Sequence, residues 1–139
     1  MPNLLSSHDI SFLIDLIFAI IAGFLIGGER ELPRKDAGIS THMMVVIGAM
    51  LFTYLSSFAD PASKSRIAAQ VVSGIGFLGA GMIMKKEENR KVSNLTTAAS
   101  IWFAGGIGMA IGFGYHFIAM VSTLASVLIP RIPKIRKRK

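Results

Sequence analysis

Residues 67–84 read IAAQVVSGIGFLGAGMIM, an apolar run that contains GIGFLG at 74–79. The hexapeptide fits the G-x-G-x-x-G fingerprint of dinucleotide-binding folds, which needs a preceding strand, a following helix and an acid about 20 residues further on. Here the apolar run continues into the glycines without a break, and the residue 20 positions past Gly79 is Ala99. The segment therefore predicts a membrane-spanning helix rather than a nucleotide-binding turn.

The composition around this segment is also that of a membrane protein. The 139 residues have room for one domain, 52% of them are apolar, and the mean hydropathy is +0.56. No cysteine is present, which excludes disulfides, thiolate metal sites and cysteine nucleophiles. The net charge of +7 is compatible with nucleic acid or with a membrane surface, so the positions of the charges have to decide.

Five apolar runs predict an all-α fold, because a bilayer core of about 30 Å takes about 20 residues of helix. The last two runs are separated only by a short segment with Gly112 and Gly114. Joined, they would form a helix of about 52 Å, too long for a bilayer, so we expect a turn there. The prediction is a compact bundle of five transmembrane helices within residues 1–129. The spans are 10–28, 42–58, 67–84, 95–112 and 115–129.

The basic residues predict how this bundle is oriented, because cytoplasmic loops collect Lys and Arg. Five spans place 29–41, 85–94 and 131–139 on one side, with three, four and six bases, against Lys64 and Arg66 on the other. Four spans would divide the bases seven against eight, which is no asymmetry. We therefore expect the N-terminus outside and the C-terminus in the cytoplasm, with the first run retained as a span rather than cleaved as a signal.

Residues 130–139, PRIPKIRKRK, are predicted to form a basic cytoplasmic tail. A cluster of bases next to a membrane gains about 1 kcal/mol per base from anionic lipid headgroups. The tail has no aromatic residue for base stacking, which argues against nucleic acid. Lipid headgroups are the expected partner, and no soluble C-terminal domain is expected after the tail.

Small residues recur at steps of four in the first, third and fourth runs, a spacing that marks faces where helices approach closely in lipid. Such faces predict packing within one chain or a homodimer. Four glycines within 74–81 and five within 105–114 also fit a different role, since transporters bind substrates at glycine-interrupted spans. The predicted packing glycines are Gly23, Gly27, Gly74, Gly76, Gly79, Gly81, Gly108 and Gly112.

Polar residues fall at the cytoplasmic ends of three spans and are expected to form one cluster. Two interpretations stand: helix capping with interfacial ion pairs, or a site for a partner or an ion. The 29–41 loop holds three acids and three bases, so its net charge of zero attracts a divalent cation poorly. The cluster comprises Glu29, Arg30, Glu31, Thr41, His42, Thr96 and Thr97.

Asp15 is the acid that lies deep within a span, where ionisable groups are costly and are functional candidates by default. The alternative is a buried acid that is either protonated or bonded to Gln70 or to a serine of a neighbouring helix. Magnesium prefers several carboxylates around it, so one intramembrane acid disfavours a magnesium channel. Asp60 and Arg66 on the outer side are expected to pair and to snorkel.

The sequence predicts neither an enzyme nor a bound cofactor or metal. It shows no nucleophile with a base beside it and no metal-ligand spacing. His8, His42 and His116 lie at scattered depths, and His116 and Trp102 are expected to be interfacial or packing residues.

Five motifs in a fixed order resemble the N-terminal membrane domain of the MgtC/SapB family, over about residues 23–115. Their order and spacing make the resemblance specific. They are GERE at 28–31, AGISTHMMVVIGA at 37–49, DP at 60–61, RIAAQVVSGIGFLGAG at 66–81 and LTTAASIW at 95–102.

The resemblance implies a non-enzymatic protein of the bacterial inner membrane, linked to growth in low magnesium, acid resistance and survival inside host cells. The best-known member is reported to restrain the proton-driven ATP synthase, and a small hydrophobic peptide regulates it. A membrane complex of this kind is therefore the implied partner. The alternative is a small oligomeric transporter or channel built around Asp15, Gln70 and the glycine-rich spans.

The chain departs from the family pattern in two of these motifs, both on the predicted cytoplasmic side. Ser40 stands where many relatives have Arg before the Thr-His pair. Ser93 and Asn94 stand where many have a basic residue and Gly before Leu-Thr-Thr. Two cations that relatives would use to contact an anion or an acidic partner are thus missing here.

Overall fold

The structure, a computed structural model, describes residues 6–59, 62–63, 65–84 and 94–133. Those residues form five α-helices and no strand, which confirms the predicted all-α fold. Asp60, Ser93 and the tail beyond residue 133 lie outside the described residues, so the expectations for them stay predictions. The helices are α1 (Ser7–Glu31), α2 (Ile39–Ala59), α3 (Arg66–Met84), α4 (Leu95–Gly112) and α5 (His116–Leu128), and a 3-10 turn (Ile129–Arg131) follows α5.

Four of the five helices are long and apolar enough to cross a membrane. The fifth, α5, has 13 residues, and the 3-10 turn adds three. Together they reach about 26 Å, slightly less than a hydrocarbon core of about 30 Å. Four helices thus meet the criterion for a membrane span and α5 is a shorter apolar helix, so the expectation of five spans stays a prediction.

Local sequence signals explain where α1 begins and where α4 ends. Ser6 and Asp9 form a capping box at the start of α1, in which the Ser6 hydroxyl accepts the Asp9 amide at 3.2 Å. At the other break, Gly114 has a φ of +80°. Its amide donates to Ile111 O at 2.7 Å and the Tyr115 amide donates to Ala110 O at 2.8 Å. These two bonds make a Schellman motif, so the glycine turn predicted between α4 and α5 is present.

Helix α2 lies between α1 and α4, and glycines on both neighbours let the backbones approach closely. A Cβ added at Gly23 would lie 2.6 Å from Met43 Cα, and one at Gly112 would lie 2.5 Å from Met50 O. Gly27 meets Ile39 and Gly108 meets Val46 in the same way. The order of these contacts shows that α2 runs antiparallel to α1 and parallel to α4.

The apolar core sits where α1, α2, α4 and α5 meet, and α3 is attached to its edge. The core includes Ile26, Met50 and Ile107, whereas α3 contributes Ile75 to a smaller cluster with α2 and α4. In α3 17% of the residues of the apolar segment are buried, against 50% in α4. Most of the surface of α3 therefore faces away from the bundle.

Candidate functional site

Polar side chains gather at both ends of the bundle. At one end the last turn of α1 meets the first turns of α2 and α4, and we call this the Arg30 end. At the opposite end the first turns of α1 lie beside the last turns of α2, where the Tyr54 hydroxyl donates to His8 O at 2.7 Å. We call it the Asp15 end.

The centre of the Arg30 end is a buried hydrogen-bonded group that joins α1, α2 and α4. Arg30 Nη2 donates to Thr97 Oγ1 at 3.3 Å, and Ser100 Oγ lies 2.8 Å from Thr97 O. His42 is fully buried, with Nδ1 2.9 Å from Gly38 O and Nε2 3.1 Å from Ser100 Oγ. A carbonyl oxygen only accepts, so Nδ1 carries a proton. The single hydroxyl proton of Ser100 is donated either to Thr97 O or to the Nε2 lone pair of neutral His42, and not to both at once.

The Arg30 guanidinium is poorly satisfied for a buried cation. Arg30 is 2% exposed, and the hydrogen bond of its guanidinium within the described residues goes to Thr97. Its Nη1 lies 3.8 Å from Glu29 Oε2, which is an ion pair but too long for a hydrogen bond. Within the described residues, Arg30 Nε and Glu29 Oε2 are buried without a hydrogen-bond partner. Burying a polar atom without a hydrogen bond is costly, so a water or another polar group that bonded these two atoms would stabilise the Arg30 end.

The structure brings together part of the cluster predicted for this end. Glu29, Arg30, His42 and Thr97 meet, whereas Thr41 and Thr96 are exposed and do not join them. Glu31 instead accepts the Ile39 amide at 2.8 Å and caps the start of α2. Ser100 was missed, although its position three residues after Thr97 places both on one helix face.

At the Asp15 end the intramembrane acid is paired with a histidine. Asp15 is 5% exposed, and its Oδ1 lies 2.6 Å from His116 Nε2. The prediction that Asp15 bonds to Gln70 or to a serine is therefore wrong. His116, which was expected to be an interfacial or packing residue, is the hydrogen-bond partner of Asp15. The reason is the turn at Gly114, which returns the start of α5 to the side of α1, where the Phe18 ring also packs on His116 with centroids 4.8 Å apart.

Gln70 faces a different part of the molecule. It lines a groove between α2 and α3, and its amide has no hydrogen bond in the part of the chain that the structure describes. A single chain therefore does not place Asp15 and Gln70 on one path. In the described ranges no group of three or more His, Cys, Asp or Glu side chains could hold a metal ion.

The predicted packing glycines divide into two sets. Those of α1 and α4 contact the α2 backbone, as described above, and Gly79 makes ordinary contact with Ala98 at 3.7 Å. Gly74, Gly76 and Gly81 face open space, so the structure gives them no packing role within the described chain. The cause is the position of α3 at the edge of the bundle, where only one of its faces contacts other helices.

Two apolar grooves open on the sides of the bundle. The α2/α3 groove has a volume of about 670 Å³ and the α1/α5 groove about 510 Å³. In the α1/α5 groove the polar Thr123 is satisfied, because its hydroxyl donates to Ala119 O at 2.8 Å. The α2/α3 groove is lined by residues including Thr41, Gly48, Phe52, Gln70, Gly74 and Leu78, and the α1/α5 groove by residues including Phe18, Ala22, Leu25, Ala119, Met120 and Leu124.

The remaining predicted residues lie outside these groups. Arg66 is the exposed first residue of α3. Trp102 is 55% exposed on α4, as expected of a residue at a lipid-facing surface.

Comparison with known proteins identifies close relatives. The model of the MgtC family matches residues 16–137. Protein MgtC of Salmonella typhimurium (strain 14028s) is 43% identical over 113 residues, which cover 81% of this chain and 48% of that protein. The "Putative magnesium transporter YhiD" of Escherichia coli K12 is 42% identical over 127 residues, covering 85% and 58%. An uncharacterized protein of Haemophilus influenzae is 39% identical over 133 residues, covering 88% and 56%.

This chain thus spans about half the length of the curated relatives that it matches. No solved structure matches it.

Proposed function

Because this chain belongs to the MgtC family, we propose that it is a non-enzymatic protein of the bacterial inner membrane that modulates another membrane complex by helix contact. Its role is adaptation to low magnesium, acid or intracellular stress. The partner is a membrane protein with an apolar transmembrane helix, and the proton-driven ATP synthase is the first complex to assay.

The observation that carries this proposal is the α1/α5 groove. Its floor includes the small side chains of Ala22 and Ala119, which are 6% and 2% exposed. Small residues let a neighbouring helix come close, and close van der Waals packing is what associates helices in lipid. Since Thr123 is already hydrogen-bonded, the groove requires no polar group from its occupant. An apolar transmembrane helix therefore fits it.

Site-specific photo-crosslinking in native membranes tests this contact. A benzophenone side chain is placed at Leu124, which is 60% exposed in the α1/α5 groove, and in a control at Phe24, which is 54% exposed on α1 outside the groove lining. We expect an adduct with a subunit of the ATP synthase, identified by mass spectrometry, from Leu124 only. Equal adducts at both positions, or adducts with phospholipid or a second copy alone, would contradict the proposal.

A functional measurement accompanies the crosslink. ATP-driven proton pumping in inverted membrane vesicles should fall when the chain is present, and Leu124→Trp, which fills the groove, should restore it. Unchanged pumping with the wild-type chain would remove the ATP synthase as the partner.

A second candidate function is a small transporter, which the name of the Escherichia coli relative favours. Liposomes that contain the pure protein and interior dyes for magnesium and protons separate the two functions. A modulating protein should move neither ion. Flux above that of empty vesicles that disappears in Asp15→Asn would instead make Asp15 a conduction residue.

A further inference from the structure

The outward face of α3 combines an unmatched polar side chain with small and large apolar residues in a regular order. Gln70, Gly74, Phe77 and Gly81 follow each other at steps of four, three and four. This is the spacing of the contact seam between two helices that supercoil around each other. We call these four residues the α3 seam.

The α3 seam is unused within the chain. Phe77 is 81% exposed, and nothing lies within 4 Å of a Cβ built at Gly74 or Gly81. The buried face of α3 is a different one, where Ile75 is 7% exposed against α4 and α2. The seam therefore has the composition of an interface and no partner among the described residues.

The α2/α3 groove runs beside the seam and is shaped to receive a side chain. Gly48 of α2 and Gly74 of α3 both line it, and neither has a neighbour within 4 Å of its Cβ position. In a parallel helix pair the partner's Phe77 lies at nearly the same depth as Gly74 and Leu78. A ring at that depth meets the open space above the two glycines.

Gln70 decides which occupant fits. Its amide carries two donors and an acceptor, is unpaired within the described residues, and lines a groove that is otherwise nearly all apolar. An acyl chain or an apolar helix would leave that amide unpaired. A second glutamine amide at the same depth satisfies it, because the NH2 group of each side chain can donate to the carbonyl oxygen of the other. A two-fold dimer supplies that amide, since each residue near the axis meets its own counterpart.

We infer that two copies of this chain pair through α3, with Gln70 amides hydrogen-bonded across a two-fold axis and Phe77 of each copy seated in the α2/α3 groove of the other. This interface lies on a different side of the bundle from the α1/α5 groove. An experiment that disproves the dimer therefore leaves the proposed contact with another complex untouched, and the reverse also holds.

Disulfide crosslinking in membranes tests the interface directly, because the chain has no cysteine of its own. Gly74→Cys places a thiol on the α3 seam, and Gly106→Cys is the matched control. Gly106 is also open, and it lies at the depth of Gly74, since Ile75 meets Gly105 on the antiparallel α4. Copper-phenanthroline oxidation should give a disulfide dimer for Gly74→Cys and not for Gly106→Cys. Dimers at both positions, or at Gly106→Cys alone, would overturn the inference.

Energy transfer between labelled copies in vesicles tests it without a cysteine in the seam. The dimerisation constant should fall about tenfold in Phe77→Ala and about threefold in Gln70→Leu, the latter for loss of one interhelical hydrogen bond. Phe117→Ala is the control, because Phe117 is 74% exposed on α5, away from the seam. A wild-type chain that stays monomeric, or a dimer that Phe77→Ala leaves intact, would overturn the inference.

Discussion

Arg30 shows how a single buried charge is held at the end of a membrane bundle. Its guanidinium is 2% exposed and its ion-pair partner Glu29 has an 11% exposed side chain. Removing one member of a buried pair leaves the other charge uncompensated, whereas removing both is often nearly neutral. The stability of the Arg30 end therefore depends on both charges being present or both being absent.

We predict that Arg30→Met lowers the free energy of unfolding by about 3 kcal/mol, because Glu29 is left buried and unpaired. The double variant Arg30→Met, Glu29→Gln should recover at least half of that loss. Thermal unfolding in detergent, followed by circular dichroism, measures both. A double variant that is no more stable than Arg30→Met would show that the guanidinium matters for packing and for Thr97 rather than for its charge.

At the residue scale the sequence could predict which polar residues share an end but not which of them touch. The helix order alone places Arg30, His42 and Thr97 together. The Asp15–His116 bond depends on a backbone turn at Gly114 that sets where α5 returns, and side-chain type carries no information about that direction. This is why the partner of Asp15 was predicted wrongly.

Among the helices, the position of a glycine on the helix surface determines whether it allows close packing, and the number of glycines in the helix does not. Gly108 and Gly106 are separated by one residue on α4, but Gly108 touches the α2 backbone and Gly106 faces open space. A side chain at Gly108 has to push the two helices apart, and overpacking of this kind costs about 1–3 kcal/mol or more.

We predict that Gly108→Leu destabilises the fold by about 3 kcal/mol, whereas Gly106→Leu changes stability by less than about 0.5 kcal/mol. Both are measured by thermal unfolding and by protease resistance in detergent. Equal loss in the two variants would mean that helix propensity or lipid contact, rather than the α2–α4 approach, sets the effect.

The spacing of small residues correctly predicted the close packing of α1 and α4 against α2. For α3 it predicted a packed face that is open among the described residues. Spacing shows that a face is suited to close approach, but it does not show whether the neighbour belongs to the same chain. Gly76 and Ala80 are four residues apart, as Gly108 and Gly112 are, yet Gly76 faces open space. Only the placement of α3 at the edge of the bundle separates the two groups.

For the whole molecule, the distribution of bases predicts an orientation that the fold alone does not fix. Ala62 lies between α2 and α3, and Lys35 lies between α1 and α2, so they belong to opposite ends of the bundle. Both positions are exposed.

We predict that Ala62→Cys reacts with a membrane-impermeant maleimide on intact cells, and that Lys35→Cys reacts only after the membrane is permeabilised. The reason is the excess of Lys and Arg in the loops on the Lys35 side. The chain has no other cysteine to react. The reverse pattern would place the Arg30 end outside.

The parallel contact between α2 and α4 has a consequence for biosynthesis. Neighbouring helices in sequence can close as hairpins while they enter the bilayer, and α1 with α2 and α3 with α4 are such antiparallel pairs. Because α2 and α4 are not adjacent in sequence, their Gly108 and Gly112 contact forms only when two finished hairpins meet sideways in the lipid. We therefore expect these two hairpins to dock laterally in the lipid, and before that step α2 is uncovered on the side that α4 covers in the folded chain.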